Sequence, residues 1–220
     1  MPDAFRSWGQ QLAAQGIVTM RTGALATRHA AQAEAAGLHC IQELALLEAR
    51  PPLGCANGRR TPPTSACREG RLGDHDFDDM ADIDLAAFGP LWRLDASMLR
   101  NVCNATPAFR ARVVRDPSAH NALLARTRLG RRVPPVGFLV SGRAGRTGYI
   151  QRLAVEPDQH RSGVGTALMN DALTWMSRWR ADRVLVNTHV ENHAALALYR
   201  GLGFVDMAER LRVYEGPTQP

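Results

Sequence analysis

Residues 151–169 read QRLAVEPDQHRSGVGTALM, and this stretch decides the fold of the chain. It predicts an apolar strand near residues 153–155, a turn at residues 156–158 and a long helix entered through Gly163 and Gly165. The first turn of a helix carries unpaired backbone N–H groups and the positive end of the helix dipole. Glycines there let an anion reach the backbone. The stretch therefore predicts a phosphate site, although an ordinary strand-to-helix turn also explains a single G-x-G step.

Two other phosphate-binding motifs do not fit this stretch. A P-loop needs a Gly-Lys-Ser/Thr step, and the chain contains no lysine. A dinucleotide-binding fingerprint needs a third glycine three residues after Gly165, where Leu168 stands.

Length and composition suit one domain of ordinary size plus an extension, since the chain has 220 residues of which 45% are hydrophobic. There is no apolar run of about 18 residues, and the first residues lack the apolar core of a signal peptide. We therefore expect a cytoplasmic protein with no membrane partner. Four cysteines (Cys40, Cys55, Cys67 and Cys103) show no metal-binding spacing, which predicts free thiols and no metal site.

The net charge of +6 comes from arginine alone. A positive surface favours acidic ligands, either a phosphorylated cofactor or nucleic acid. The densest cluster, RTRLGRR at residues 126–132, has no interleaved aromatic residues and predicts a solvated loop or hairpin. Nucleic acid is therefore not the expected partner.

The first 50 residues predict a β-α-β unit, with strands at residues 17–22 and 38–48 and a helix at residues 24–36. Such a unit is too small to bury both of its faces alone. An offset of 166 residues aligns it with the end of the chain, matching Val18 with Val184, Thr22 with Thr188, Gly37 with Gly203 and Glu43 with Glu209. The unit is either a remnant of a tandem copy or a chance match between two β-α-β segments. In a true copy, Ala26 and Ala33 would take the places of Asn192 and Tyr199.

A Pro/Gly-rich linker at residues 51–72 precedes the main domain at residues 73–216. A cluster of four aspartates predicts the start of a helix over residues 74–88 rather than a metal site. These aspartates are Asp74, Asp76, Asp78 and Asp79. Asp95 is predicted to cap a second helix at residues 96–104. Residues 116–135 are predicted to form a long irregular connection or a hairpin arm. Further strands are expected at residues 109–114, 136–141, 147–155, 183–188 and 204–214, with helices after Gly163 and at residues 192–200. Trp175 and Trp179 are predicted to lie in the core.

The order strand, Gly-x-Gly helix, strand, then Asn192-x-x-Ala195-x-x-Leu198-Tyr199 leading into GLGF at residues 201–204, resembles the GNAT superfamily of acetyl-CoA-dependent N-acetyltransferases. The resemblance covers residues 73–215. It implies an α/β GNAT fold, with a central mixed twisted sheet flanked by helices and here an extra N-terminal β-α-β unit. It also implies acetyl-CoA as cosubstrate. The stretches FGPLWRLD, GRAGRTGYIQRLAV and VLVNT further resemble an actinobacterial subgroup.

The resemblance assigns roles to matching residues of this chain. The main chain of Leu153, Ala154 and Val155 would hold the pantetheine arm, with Asn192 near the same arm and Tyr199 protonating the departing thiolate. The pyrophosphate loop would comprise His160, Arg161, Ser162, Gly163, Val164, Gly165 and Thr166. His160 departs from the usual Gln or Arg, which predicts weaker or more pH-dependent cofactor binding because histidine titrates near neutrality.

The general base is less well defined by the resemblance. The two positions where family members carry a glutamate are Tyr149 and Asn187 here. His189 and Glu191 follow Asn187 and are the candidates, although both also suit a solvated turn. A lysine side chain has a pKa of about 10.4 and an α-amine a pKa of about 8, so a site without a strong base favours an α-amine or a small-molecule amine.

Two classes of function follow from these residues. The first is an N-acetyltransferase that transfers acetyl directly from acetyl-CoA to a small-molecule or peptide amine, as Asn192 and Tyr199 indicate. The second is a non-catalytic CoA-binding sensor or interaction module, which the missing carboxylates favour. Either class allows a homodimer.

Overall fold

The structure, a computed structural model, describes residues 3–50, 72–115 and 135–218. It divides into two compact units, unit 1 (Met1–Glu48 with Val186–Pro220) and unit 2 (Ala49–Leu185). Most of the predicted linker, Cys55 and Cys67, the arginine cluster at residues 126–132 and nearly all of the connection at residues 116–135 lie outside the described residues. The predicted domain boundaries stay a prediction.

The described helices and strands confirm the predicted α/β class, a mixed sheet flanked by helices. Within the described ranges, no helix has the length and hydropathy that crossing a membrane requires. In chain order the elements are α1 (Asp3–Ala14), β1 (Thr19–Arg21), β2 (Leu25–Ala26), α2 (Thr27–Ala35), β3 (His39–Ala49), α3 (Asp74–Phe88), α4 (Ala96–Asn104), β4 (Ala108–Arg115), β5 (Pro135–Ala144), β6 (Thr147–Val155), α5 (Val164–Arg178), β7 (Arg183–His189), α6 (His193–Gly201) and β8 (Val205–Pro217).

Unit 2 is built on an antiparallel meander of β4, β5 and β6. The register of β5 and β6 shifts by one residue, since Val140 faces Arg152 while Ser141 faces Ile150, so that Gln151 forms a β-bulge. Helices α3 and α4 cover one face of the meander. The core beneath them consists of Met80, Ile83, Leu99, Cys103, Ala111, Val113, Phe138, Val140 and Ala154.

Helix α5 lies close to β5 and β6 at two glycines. A Cβ on Gly137 would come within 2.8 Å of Val164 in the first turn of the helix, and a Cβ on Gly148 within 2.5 Å of Met176 near its end. The absence of a Cβ at both positions lets α5 pack closely on the strands, most strictly at Gly137, where a Cβ would also come within 3.2 Å of the Ala154 carbonyl oxygen. The prediction that Trp179 lies in the core is wrong: its side chain is 56% exposed and stacks on Arg143, because α5 ends at Arg178 before the next turn can face the sheet.

Unit 1 is organised around β8, which pairs antiparallel with β3 along one edge and with β1 and β2 along the other. Helices α1 and α2 help to enclose a second core that includes Phe5, Ala33, Leu38 and the fully buried Tyr214. The Tyr214 hydroxyl donates to the Glu34 carboxylate at 3.1 Å, which satisfies this buried polar group.

Two halves of unit 1 match each other in length and register. Helices α2 and α6 begin and end 166 residues apart. In the pairing of β3 with β8, Leu44 faces Leu211. On one side of this pair His39 of β3 faces Glu215 of β8, and on the other side Glu48 of β3 faces Val205 of β8. The origin of the first half as a tandem copy stays a prediction.

Deleting residues 1–50 is expected to abolish the cooperative unfolding of unit 1. The deletion takes every described β8 partner away and uncovers Tyr214. Thermal unfolding followed by circular dichroism measures this effect. Deleting residues 1–16 is the control, because it removes only α1 and should lower Tm while the transition stays cooperative. A 51–220 chain that unfolds cooperatively at the Tm of the full chain would contradict this role of β3.

Candidate active site

The predicted phosphate loop joins β6 to α5 through a 3₁₀ turn at Pro157–Gln159. Two of its residues have left-handed backbone angles: Arg161, with φ of 63°, and Gly163, with φ of 90°. This conformation costs a residue with a Cβ about 1 kcal/mol. Backbone outliers of this kind concentrate at ligand sites.

Backbone N–H groups converge at the start of α5. Gly163 is the N-cap, and its carbonyl accepts the first helical hydrogen bond from the Ala167 amide at 2.9 Å. No side chain caps this end of the helix. Within the described part of the chain, the amides of Val164, Gly165 and Thr166 have no acceptor. These donors, together with the helix dipole, suit a phosphate group.

Two side chains hold the loop in place. Nε2 of His160 donates to the Val155 carbonyl at 3.1 Å, which ties the loop to the end of β6. The Ser162 hydroxyl donates to the Gln159 carbonyl at 2.6 Å. His160 thus helps to fix the shape of the loop. The sequence had indicated only that this residue departs from the Gln or Arg that is usual in the family. Unit 2 brings together all the residues of the predicted pyrophosphate loop.

The predicted pantetheine strand, Leu153 to Val155, also lies in unit 2, and the remaining predicted site residues lie in unit 1. Asn192 caps α6, since its Oδ1 accepts from the Ala195 amide at 3.1 Å. Its side-chain NH₂ group remains as a donor for a ligand. Tyr199 lies on the same helix, is 5% exposed and packs its ring against Phe204 with a centroid distance of 5.9 Å.

The matching helix α2 lacks both of these side chains. Its N-cap is Ala26, with no side-chain hydrogen bond, and the fully buried Ala33 stands where α6 has Tyr199. A helix of the same length therefore forms without either group, so the fold does not require them.

The predicted base candidates follow β7. The Glu191 amide donates to Nδ1 of His189 at 3.1 Å, so a neutral His189 carries its proton on Nε2 and has no lone pair available. Glu191 has an exposed side chain. Of the two positions that carry a glutamate in other members, Asn187 is exposed and Tyr149 half-buried.

Comparison with known proteins identifies the family. The acetyltransferase (GNAT) family matches residues 85–204, more than half of the chain. The chain belongs to this family. The prediction that the chain is an acyltransferase is confirmed.

One curated relative of this GNAT protein is N-alpha-acetyltransferase 30 of Saccharomyces cerevisiae, with 42% identity over 67 residues. The match covers 30% of this chain and 38% of the yeast protein, so the chain spans well under half the length of that relative.

Solved structures show the same fold. A tandem GNAT protein from the clavulanic acid biosynthesis pathway matches with a TM-score of 0.63 and 15% identity, over 97% of this chain and 69% of that one. The ribosomal-protein-S18-alanine N-acetyltransferase of Escherichia coli matches with a TM-score of 0.51 and 16% identity, over 69% of this chain and 93% of that one.

One buried group of this GNAT protein was not identified from the sequence. The Asp84 side chain is fully buried and binds Arg152. The sequence feature that could have identified Asp84 is its position on α3, four residues after Met80 and next to Ile83, on the apolar face of the helix.

Replacing Gly163 with alanine is expected to weaken acetyl-CoA binding at least about tenfold, because a Cβ is strained at this φ and crowds the N–H groups. Gly145→Ala is the matched control: Gly145 also has a positive φ, of 55°, with open space around its Cβ position in the β5–β6 turn. Both variants should lose similar stability in urea unfolding. Equal acetyl-CoA affinity in the two variants, by isothermal titration calorimetry, would remove the loop from the site.

The two functions of Asn192 can be separated by two substitutions. Asn192→Asp keeps the capping oxygen and should preserve stability, but it removes the NH₂ donor and should weaken acetyl-CoA binding. Asn192→Ala removes the cap as well and should cost about 1 kcal/mol in urea unfolding. If Asn192→Asp binds acetyl-CoA as tightly as the unchanged protein, this side chain serves only the helix.

Proposed function

We propose that this protein is an N-acetyltransferase that transfers acetyl from acetyl-CoA to a primary amine, with the α-amine of a peptide or a small-molecule amine as acceptor. The observation that carries the proposal is the cluster of unpaired amides at the start of α5, behind the left-handed Gly163. Membership of the GNAT family supports the reaction class. The curated relative named N-alpha-acetyltransferase 30 supports an α-amine acceptor.

The cosubstrate would be held at its pyrophosphate and along its pantetheine arm. The pyrophosphate would accept from the N–H groups of Val164, Gly165 and Thr166, with the loop of His160, Arg161 and Ser162 around it. The pantetheine arm would run along the main chain of Leu153, Ala154 and Val155. By the family resemblance, Asn192 would lie near the same arm, with its NH₂ group as a donor.

The reaction would be a direct transfer in a ternary complex. The neutral amine attacks the thioester carbonyl carbon, so that a C–N bond forms, and the C–S bond then breaks. A backbone N–H on the Leu153 strand stabilises the oxyanion of the intermediate. Tyr199 gives its proton to the departing thiolate, and the amine nitrogen loses one proton to solvent or a base.

The state of His189 bears on the acceptor. Nδ1 of His189 already accepts from the Glu191 amide, so His189 would have to lose this hydrogen bond to act as the base. Glu191, directly or through water, is then the better candidate. An amine that is partly neutral at pH 7, such as an α-amine with a pKa of about 8, needs the least help.

We further propose a cytoplasmic location. The relation to an actinobacterial subgroup and the formation of a homodimer stay predictions.

A panel of acceptors with acetyl-CoA tests the function, read as release of free thiol. Peptides with a free α-amine should react faster than N-terminally blocked peptides that carry one lysine. Small primary amines belong in the same panel, and reaction with them alone would identify the second acceptor class. Acetyl-CoA binding without thiol release from any amine would contradict the enzyme and favour the CoA-binding sensor.

Tyr199→Phe separates chemistry from binding in the same assay. Loss of the general acid should lower kcat about 100-fold or more. The acetyl-CoA KM should change little, because the ring still packs against Phe204. An unchanged kcat would remove Tyr199 from the mechanism.

A further inference from the structure

The C-terminal end of α5 carries a concentration of arginine around an exposed tryptophan. Residues 142–147 include the turn between β5 and β6, and residues 177–183 lead from α5 into β7. Together these two segments contain five arginines and one aspartate, which leave a net charge of +4. Both segments belong to unit 2. We call the region the Arg–Trp surface, and its residues are Arg143, Arg146, Arg178, Trp179, Arg180 and Arg183.

Three contacts hold the two segments of this surface together. The Asp182 amide donates to the Arg146 carbonyl at 2.8 Å. The Arg146 guanidinium in turn binds both oxygens of the Asp182 carboxylate. Nε of Arg183 donates to the Thr147 hydroxyl at 3.3 Å. The surface is therefore assembled before a ligand arrives, so that little loop ordering opposes binding.

The aromatic residue of this surface is Trp179. It is 56% exposed, and the guanidinium of Arg143 stacks on its ring with Cζ 4.8 Å from the centroid. In the chain it stands between Arg178 and Arg180, which are also exposed. An exposed ring flanked by cations is the arrangement with which proteins bind single-stranded nucleic acids, since a base stacks on the ring while the phosphates meet the positive charges.

Arg180 has a backbone conformation that favours glycine. It follows the C-cap of α5 and has a φ of 52°. The Ala181 amide donates to the Met176 carbonyl at 3.1 Å, and the Arg180 amide donates to the Ser177 carbonyl at 2.9 Å. These are the two hydrogen bonds of a Schellman motif, whose left-handed residue is most often glycine. Because strained residues concentrate at functional sites, an arginine here favours a role for its guanidinium in binding a ligand.

The Arg–Trp surface is separate from the phosphate loop. Helix α5 has 15 residues, so its two ends lie about 20 Å apart. The phosphate loop precedes the first residue of this helix, Val164, and the Arg–Trp surface surrounds the last one, Arg178. A ligand on this surface would therefore leave the phosphate loop open to acetyl-CoA.

The sequence did not indicate this surface, because its arginines belong to two segments that are distant in the chain. The cluster at residues 126–132 has no interleaved aromatic residue, and on that ground nucleic acid was not expected. The stretch RWR at residues 178–180 does interleave the two residue types, but its tryptophan was expected in the core. The exposure of Trp179 changes what this stretch can bind.

We propose that the Arg–Trp surface binds single-stranded nucleic acid, with Trp179 stacking on one base and the exposed arginines binding the neighbouring phosphates. The inference does not depend on the proposed acetyl transfer. A duplex would bind less tightly, because its bases are stacked on one another and cannot reach the indole. An acidic protein would meet the same charges but has no base to stack on Trp179.

Fluorescence anisotropy of the full-length chain with a labelled oligoadenylate of about 12 nucleotides tests the binding. The strand is supplied once as RNA and once as DNA, and binding of either supports the proposal. We expect tighter binding of the single strand than of a duplex of equal length or of polyglutamate, and an affinity that falls as salt rises. No binding at about 0.1 M salt, or equal affinity for the duplex or for polyglutamate, would overturn the proposal.

Two tryptophan variants test the stacking. Trp179→Ala should weaken binding of the single strand about tenfold or more, as the loss of one stacked base does. Trp8→Ala is the matched control, because Trp8 is 54% exposed and lies in unit 1, outside the Arg–Trp surface. If the two variants bind the strand equally well, Trp179 does not stack on a base.

Arg180→Gly separates binding from folding. Glycine suits this φ, so the variant should unfold at the Tm of the unchanged protein or above it. It should nevertheless bind the single strand several-fold more weakly, with the slope of log affinity against log salt reduced by about 0.7. Arg28→Gln removes one exposed charge from unit 1 and should leave the affinity unchanged. Equal affinity in Arg180→Gly and Arg28→Gln would contradict the phosphate contact.

Acetyl-CoA in excess tests the location of the site. It should leave the affinity for the single strand within about twofold, because separate sites that are not coupled bind independently. Competition between the two ligands would instead place the nucleic acid at the phosphate loop and overturn the Arg–Trp surface. None of these measurements requires acetyl transfer, so a failure of the proposed function would leave their outcome intact.

Discussion

The close packing of α5 on β5 and β6 is the constraint on which the candidate phosphate site depends. Gly137 and Gly148 leave room for Val164 and Met176 at the two ends of the helix, so these two side chains pack directly against the backbone of β5 and β6. This contact sets where the first turn of α5 projects beyond the sheet. The unpaired amides and the dipole are general properties of any helix, but their position next to the end of β6 is specific to this packing.

Arginine provides the long-range ties in unit 2. Arg152 binds Asp84, Arg110 binds Asp171, and Arg115 binds Asp76 at 2.7 Å. Its planar group can bind both carboxylate oxygens at once, which Arg152 and Arg110 do. From the sequence, the positive charge of the chain suggested an acidic ligand. Part of this charge is instead paired with carboxylates within unit 2. Buried ion pairs contribute more to a unique arrangement than to net stability in some proteins. The Asp84–Arg152 pair also fixes the connection between α3 and α4, through the Trp92 carbonyl and the Leu94 amide.

Local rules predicted much of the fold from the sequence. Helix α4 begins after Asp95, whose carboxylate accepts from the Met98 amide at 2.8 Å, and α3 spans the predicted residues 74–88. The Gly-x-Gly helix was predicted because glycine preference and helix periodicity are properties of neighbouring residues. The bulge at Gln151 was not, since it depends on the register with β5, which no single strand encodes. Nor was the left-handed Arg161, because this conformation costs a non-glycine residue energy and only the surrounding loop enforces it.

Unit 1 is assembled from the two ends of the chain, and this has a consequence for the order of folding during synthesis. Strand β3 is translated long before β8, its antiparallel partner, and all of unit 2 is made in between. At about 5–20 residues per second, the ribosome leaves the apolar side of β3 unpaired for many seconds. Unit 2, whose described strands pair with near neighbours in sequence, can form during that interval. The nascent chain therefore carries β3 without its β8 partner until residues 205–217 have been translated.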